Sequence, residues 1–247
     1  MTTLCDSFFD LYDNTKKFRA VVRDFCVIRE HGQDKDITLR ELRIQSGGVF
    51  TVFGRHFYGG KSRTGGKSVF DGNSYFRNLS TKLRDCNCDG VAFLVDYNNN
   101  EHIIFTEMKS TLGLKTFVND VMPQLAMSYM KFHTWLSLCC TDSVNPLSVH
   151  FVIAASKFDD KIAGDLLRAS QERENTNNPN GEMTKGSDAQ IFWTLVSKRK
   201  DTIPLSRLEQ TKRKPLPKEL HKTPIKFHLA LSSSSDEYHA SVDLEID

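Results

Sequence analysis

The sequence predicts an α/β sandwich, a central mixed sheet flanked by helices, and three stretches carry that expectation. GVAFLVDY (90–97) and HIIFTEMK (102–109) are β-rich runs joined by Asn98, Asn99, Asn100 and Glu101. Asparagine tolerates the left-handed backbone that tight turns need, so the two runs read as a hairpin. Phe117 to about Leu138 places Val121, Met122, Leu125, Tyr129, Phe132 and Leu136 at amphipathic helical spacing. Asn119 or Asp120 would cap this helix, leaving Pro123 in the first turn, where its missing N–H costs nothing. LSVHFVIAAS (147–156) is too apolar for an edge and reads as a buried strand. Helix, hairpin, helix and strand in that order stack helices on a sheet.

The remaining elements follow from the same rules. Phe8, Leu11, Phe18, Val21, Val22, Phe25 and Val27 suit a helix over residues 7–30, and VFTVF (49–53) a strand. The Gly-rich basic stretch GRHFYGGKSRTGGKS reads as a loop. Asn73 and Ser74 would cap a short helix bearing Tyr75, Phe76, Leu79 and Leu83. A helix is expected over 161–171, an exposed loop over 172–188 and a strand at IFWTLV (191–196). KFHLAL and YHASVDLEI, either side of a serine run, predict a peripheral hairpin. Three segments result: 1–69, an extension with the basic loop; 70–196, the core; 197–247, a basic segment with the hairpin and an acidic tail.

At 247 residues the chain is long enough to bury a substantial core, and 26% charged residues argue against wholesale disorder. No apolar run of membrane-spanning length occurs, and the N-terminal stretch lacks a basic region followed by an apolar one. A cytoplasmic location without membrane contact is therefore expected. The six cysteines read as reduced thiols, and Cys86, Cys88, Cys139 and Cys140 lack the spacing of structural zinc. The eight histidines are scattered and show no metalloprotease spacing.

The hairpin carries the chemistry. The midpoint of Asp89 and Glu107 is Asn98, inside the turn, and residues equidistant from a turn face each other across an antiparallel pair. Side chains alternate along a strand, so Glu107 and Lys109 share one face and Met108 takes the other. Two acids and a lysine thus meet at one end of an apolar strand pair, where desolvation is costly unless a cation bridges the carboxylates. Mg²⁺ prefers hard oxygen ligands and keeps several waters, so Asp89, Glu107 and the Met108 carbonyl form a half-site. Lys109 would orient a water or stabilise a phosphoryl transition state, and phosphodiester hydrolysis is the reaction these parts serve.

The stretch from Cys88-Asp89-Gly90 to Thr106-Glu107-Met108-Lys109-Ser110 resembles the PD-(D/E)xK nuclease superfamily, over roughly residues 70–156. That resemblance implies a restriction-endonuclease-like sandwich, a Mg²⁺ or Mn²⁺ cofactor held by Asp89 and Glu107, and a catalytic Lys109. Cys88 stands where the family usually has proline. Members similar to exonucleases carry Gln-x-x-x-Tyr on the following helix; Gln124 matches, whereas the aromatic, Tyr129, comes one position late. Some members add an upstream acid, for which Glu41 and Asp71 are the candidates. A nuclease of this size resembles effectors of prokaryotic anti-phage or mobile-element systems, which implies DNA as substrate and a protein partner for activation. A non-catalytic nucleic-acid-binding or assembly subunit with the same fold is the alternative.

Other basic signals are secondary. Arg55, Lys61, Arg63 and Lys67 would touch DNA phosphates from the loop. The loop fails the phosphate-loop spacing, because the required first glycine falls on Lys61 or Arg55, so no nucleotide cofactor is expected. Lys198–Lys200 and Lys212–Lys214 are either further backbone contacts or a solvated basic surface.

Overall fold

The computed structural model describes residues 19–29, 39–53, 88–139, 147–160, 162, 188–208, 222–233 and 235–246. Strands predominate among them. They are β1 (Arg19–Arg29), β2 (Glu41–Phe53), β3 (Gly90–Asp96), β4 (Glu101–Leu112), β5 (Ser148–Phe158), β6 (Lys200–Pro204), β7 (Pro224–Ser233) and β8 (Asp236–Asp243). The order is β1-β2-β3-β4-β5-β7-β6, and β8 joins β7 to β2. Two helices of more than five residues occur among the described residues, α1 (Met122–Cys139) and α2 (Asp188–Lys198).

The expected restriction-endonuclease-like sandwich is therefore corrected. The strands β2, β3, β4, β5, β7 and β8 close on themselves as a six-stranded barrel instead of forming an open sheet between helical layers. Closure depends on β2, whose residues Gly48–Phe53 pair with β3 and whose residues Glu41–Gln45 pair with β8. At this corner Ser46, Gly47 and Gly48 of β2 stand opposite the single residue Asp24 of β1, where the β1–β2 register shifts. Gly48 has φ 143, and a Cβ there would run into the Val95 carbonyl, so the corner needs glycine. Three contacts of the ring are antiparallel and three parallel.

The two faces of the sheet carry different side chains. On the inner face lie Ala92, Ala154, Ala230 and Ala240 with Leu42, Ile44, Phe50, Leu94, Ile104 and Val152. Alternate positions on the outer face carry Phe93, Phe105, Phe151, Ile153 and Phe227, which pack against Phe117, Leu125 and Phe132 of the first helical segment and Phe192 and Leu195 of α2. The inner face mixes alanines with Leu, Ile, Val and Phe, whereas the outer positions that face the helices are mostly aromatic.

Several expected elements change type. Residues 19–29 form β1, not a helix: Cys26 and Ile28 are buried while Val21 and Phe25 are exposed, and the β-branched residues suit a pleated surface. IFWTLV lies in α2, where Ile191, Phe192, Leu195 and Val196 bury one helical face. The C-terminal hairpin exists but is not peripheral, since β8 closes the ring and β7 lies between β5 and β6. The first helix is already wound at Leu114, after Gly113, so Asn119 and Asp120 do not cap it. A π turn over Phe117–Val121 precedes α1, and the Met122 N–H reaches the Phe117 carbonyl. Widening the helix just before Pro123 accommodates a residue with no N–H to give. The basic loop at 55–67, the helix at 73–83, the loop at 172–187 and most of 161–171 lie outside the described residues.

Phe151 sits at the centre of the outer core, edge-on to Phe105, Tyr129 and Phe227 at centroid separations of 5.9, 6.3 and 5.3 Å. Phe151→Ala should cost about 3–5 kcal/mol in urea unfolding. A loss below about 1 kcal/mol would contradict this account of the core.

Candidate active site at the hairpin end

The β3–β4 register follows the sequence arithmetic: Gly90 faces Thr106, Val91 faces Phe105, and each pair is centred on Asn98. Asp96 fixes it. One of its carboxylate oxygens accepts the N–H groups of Asn98 and Asn100 at 2.8 and 2.7 Å, and the other accepts the Asn100 side-chain amide at 2.8 Å. Asn99 takes the left-handed conformation, φ 62.

At the opposite end of the hairpin, the Asp89 N–H donates to the Thr106 carbonyl at 2.9 Å. The Met108 N–H in turn donates to Asp89 Oδ2 at 2.7 Å. Glu107 and Lys109 share the outer face, and Lys109 Nζ donates to Glu107 Oε1 at 2.5 Å. Met108 points to the inner core. Glu107 is completely buried, whereas the Lys109 side chain keeps 24% exposure, so the pair opens outward through the lysine. Asp89, Glu107, Met108 and Lys109 are thus brought together.

Two neighbours complete the site. The Cys88 N–H donates to Ser128 Oγ of α1 at 2.8 Å, which docks the helix on the strand end. Burial pushes the Cys88 thiol up to about 12; the Ser128 hydrogen bond opposes this, and the charges of Glu107 and Asp89 add to it. Burial pulls the Lys109 ammonium down, but the Glu107 carboxylate outweighs it, with Asp89 and Asp120 adding to a net rise. Asp120, expected only as a helix cap, is therefore a third acid whose field reaches the lysine. Nothing in its spacing marked it, because the π turn sets its position.

The remaining sequence candidates divide. Gln124 is half-buried on α1, one turn before Ser128 on the same helical face. Tyr129 is core: it packs on Phe105 and Phe151, and burial raises its phenol to about 12. Glu41 pairs with Arg29 at 2.7 Å at the far end of β2 from Phe53, the residue that faces Val91 beside the site. Asp71, Arg55, Lys61, Arg63 and Lys67 lie outside the described residues. Among the described residues no three His, Cys, Asp or Glu side chains gather as a metal cage. Asp89 and Glu107 supply two carboxylates, and Mg²⁺ can bind through one or two carboxylates while keeping its waters. No described helix is long and apolar enough to cross a membrane.

Compared with protein-family models, curated proteins and solved structures, the chain matches none.

The ion pair gives a pH test. A lysine whose folded pKa is raised stabilises the fold fully below its ordinary value of 10.5, and that contribution disappears as pH rises through the folded value. Lys109→Met should weaken folding by about 3 kcal/mol at neutral pH by stranding a buried carboxylate. The variant should also lack part of the alkaline loss of stability that wild type shows. Urea midpoints measured from neutral to alkaline pH check both, and identical profiles would contradict the pairing.

Proposed function

We propose that this protein is a divalent-metal-dependent nuclease acting on DNA, with Asp89, Glu107 and Lys109 as its working residues. The observation that carries the reading is the convergence of two carboxylates and a lysine at one hairpin end, with the lysine facing outward. The fold implied by the family resemblance is corrected, so the support lies in this local chemistry. Asp89 and Glu107 offer hard anionic oxygens, the donor set that Mg²⁺ or Mn²⁺ takes. A bound divalent cation supplies Lewis-acid stabilisation of the charge that builds on a phosphodiester during hydrolysis. The Met108 N–H orients the Asp89 carboxylate, and the buried floor of Glu107 keeps its carboxylate in a fixed direction. Lys109 remains cationic at neutral pH and presents its ammonium where a phosphate oxygen approaches, a role worth about 10²-fold in rate. Gln124, one helical turn from Ser128, is the residue we assign to positioning substrate.

A role as an anti-phage effector that works with a protein partner rests on likeness in motif and size. One observation favours the second reading, a non-catalytic nucleic-acid-binding subunit: Lys109 already neutralises Glu107 directly.

Circular single- and double-stranded DNA, incubated with full-length protein and Mg²⁺, Mn²⁺ or chelator, separates the readings. Cleavage should require metal and fall about 100-fold or more in Asp89→Asn and Lys109→Ala, with DNA binding retained. Binding by wild type without cleavage under either metal supports the subunit reading. Cleavage of RNA alone would move the substrate class.

A further inference from the structure

A second polar array crosses the inner face of the barrel, away from the hairpin end just described. His102 on β4, His150 on β5 and His228 on β7 lie on neighbouring strands and point the same way. His102 Nδ1 and His150 Nε2 are 3.1 Å apart, and His150 Nδ1 and His228 Nε2 are also 3.1 Å apart. His102 Nε2 lies 3.4 Å from Asp96 Oδ2. His102 and His150 are 2% and 1% exposed, whereas His228 is only half-buried. His228 forms part of the wall of a cavity of about 490 Å³ together with Lys200, Lys226, Asp243 and Glu245. The chain therefore runs from a buried carboxylate to an open cavity.

Only one arrangement of protons satisfies every link when the imidazoles are neutral. A carboxylate accepts and does not donate, so His102 must give its Nε2–H to Asp96. His102 Nδ1 then carries a lone pair and accepts from His150 Nε2–H. His150 Nδ1 in turn accepts from His228 Nε2–H. One carboxylate dictates three tautomers, and the last atom, His228 Nδ1, is left as a lone pair at the cavity end.

We propose that Asp96, His102, His150 and His228 form a one-proton relay between the cavity and the β3–β4 turn. A proton added at His228 Nδ1 releases the His228 Nε2 proton to His150 Nδ1. His150 passes its Nε2 proton to His102 Nδ1, leaving His102 as an imidazolium against the Asp96 carboxylate. Each imidazole gains one proton and those of His150 and His228 lose one, so a single positive charge moves from the cavity to Asp96. The tautomers of His150 and His228 are reversed. His228 Nδ1 then offers an N–H where it had offered a lone pair, so the cavity wall changes from hydrogen-bond acceptor to donor.

The surrounding charges support this end point. Burial dominates at all three imidazoles and depresses them, His150 to about 2 and His228 to about 4. Lys226 on β7 opposes protonation of all three, and Lys200 on β6 opposes it at His228. Glu245, beyond β8, favours a charged His228, but of these three imidazoles it is His102 that hydrogen-bonds a carboxylate, that of Asp96. Asp96 itself is desolvated, yet the hydrogen bonds from Asn100, Asn98 and His102 hold it below the usual carboxylate value. The added charge is thus best housed at His102.

Histidine-labelled full-length protein, examined by ¹⁵N NMR, tests the relay without any variant. At neutral pH all three imidazoles should be Nε2–H tautomers, with nitrogen–nitrogen couplings across both inter-imidazole hydrogen bonds. An Nδ1–H tautomer at His150 or His228 at neutral pH, or missing couplings, would overturn the proposal. On acidification the His150 and His228 tautomers should invert at one shared midpoint as His102 becomes doubly protonated, whereas independent midpoints would overturn it. His150→Phe, checked for folding by its amide spectrum, should uncouple His228 from His102.

Discussion

The hydrogen bonds that gather the β3–β4 turn around Asp96 set the register on which both polar sites depend. With Asn99 left-handed and Asp96 binding Asn98 and Asn100, the hairpin pairs about Asn98, so Asp89 reaches Met108 and Glu107 turns to the outer face. A slip of one residue would flip every side chain, sending Glu107 into the inner core and Met108 to the site. The same carboxylate ends the histidine chain. One side chain therefore holds a turn at one end of the hairpin, sets the alignment of the charged cluster at the other, and orients three imidazoles across the barrel.

The charged cluster is expensive to maintain. A fully buried Glu107 has lost its hydration, and the attraction of Lys109 offsets that loss only because the two meet directly. A hydrophobic pair of equal volume would often stabilise the core as well or better, so stability alone does not account for this pair. The Lys109 side chain keeps partial exposure while Glu107 is fully buried. The cluster also sits where α1 docks through Ser128 on the Cys88 amide, which ties its geometry to helix packing.

Much of the hairpin was legible in the sequence because its signals are local. The asparagine turn, the alternating faces and the opposed acids follow from period-two geometry and from symmetry about Asn98. The buried strand β5 was legible for the same reason. Barrel closure was not, because it is decided by long-range pairing of β8 with β2, over nearly two hundred residues, and by a corner at Gly47 and Gly48. In β1, Val21, Val22, Phe25 and Val27 fit a helical stripe because the register shift at Asp24 breaks the strict alternation of a strand. In IFWTLV the β-prone residues hid a helical face. The histidine chain is not legible in sequence, because each strand contributes one member and the registers of β4, β5 and β7 align them.

Titrating Mn²⁺ into the full-length protein by calorimetry, beside Asp89→Asn and Glu107→Gln, addresses the central claim without depending on substrate or partner. The account predicts one Mn²⁺ per chain in wild type, with binding weakened at least about tenfold in each variant. No binding in wild type, or equal affinity in all three proteins, would contradict a shared cation at this hairpin end.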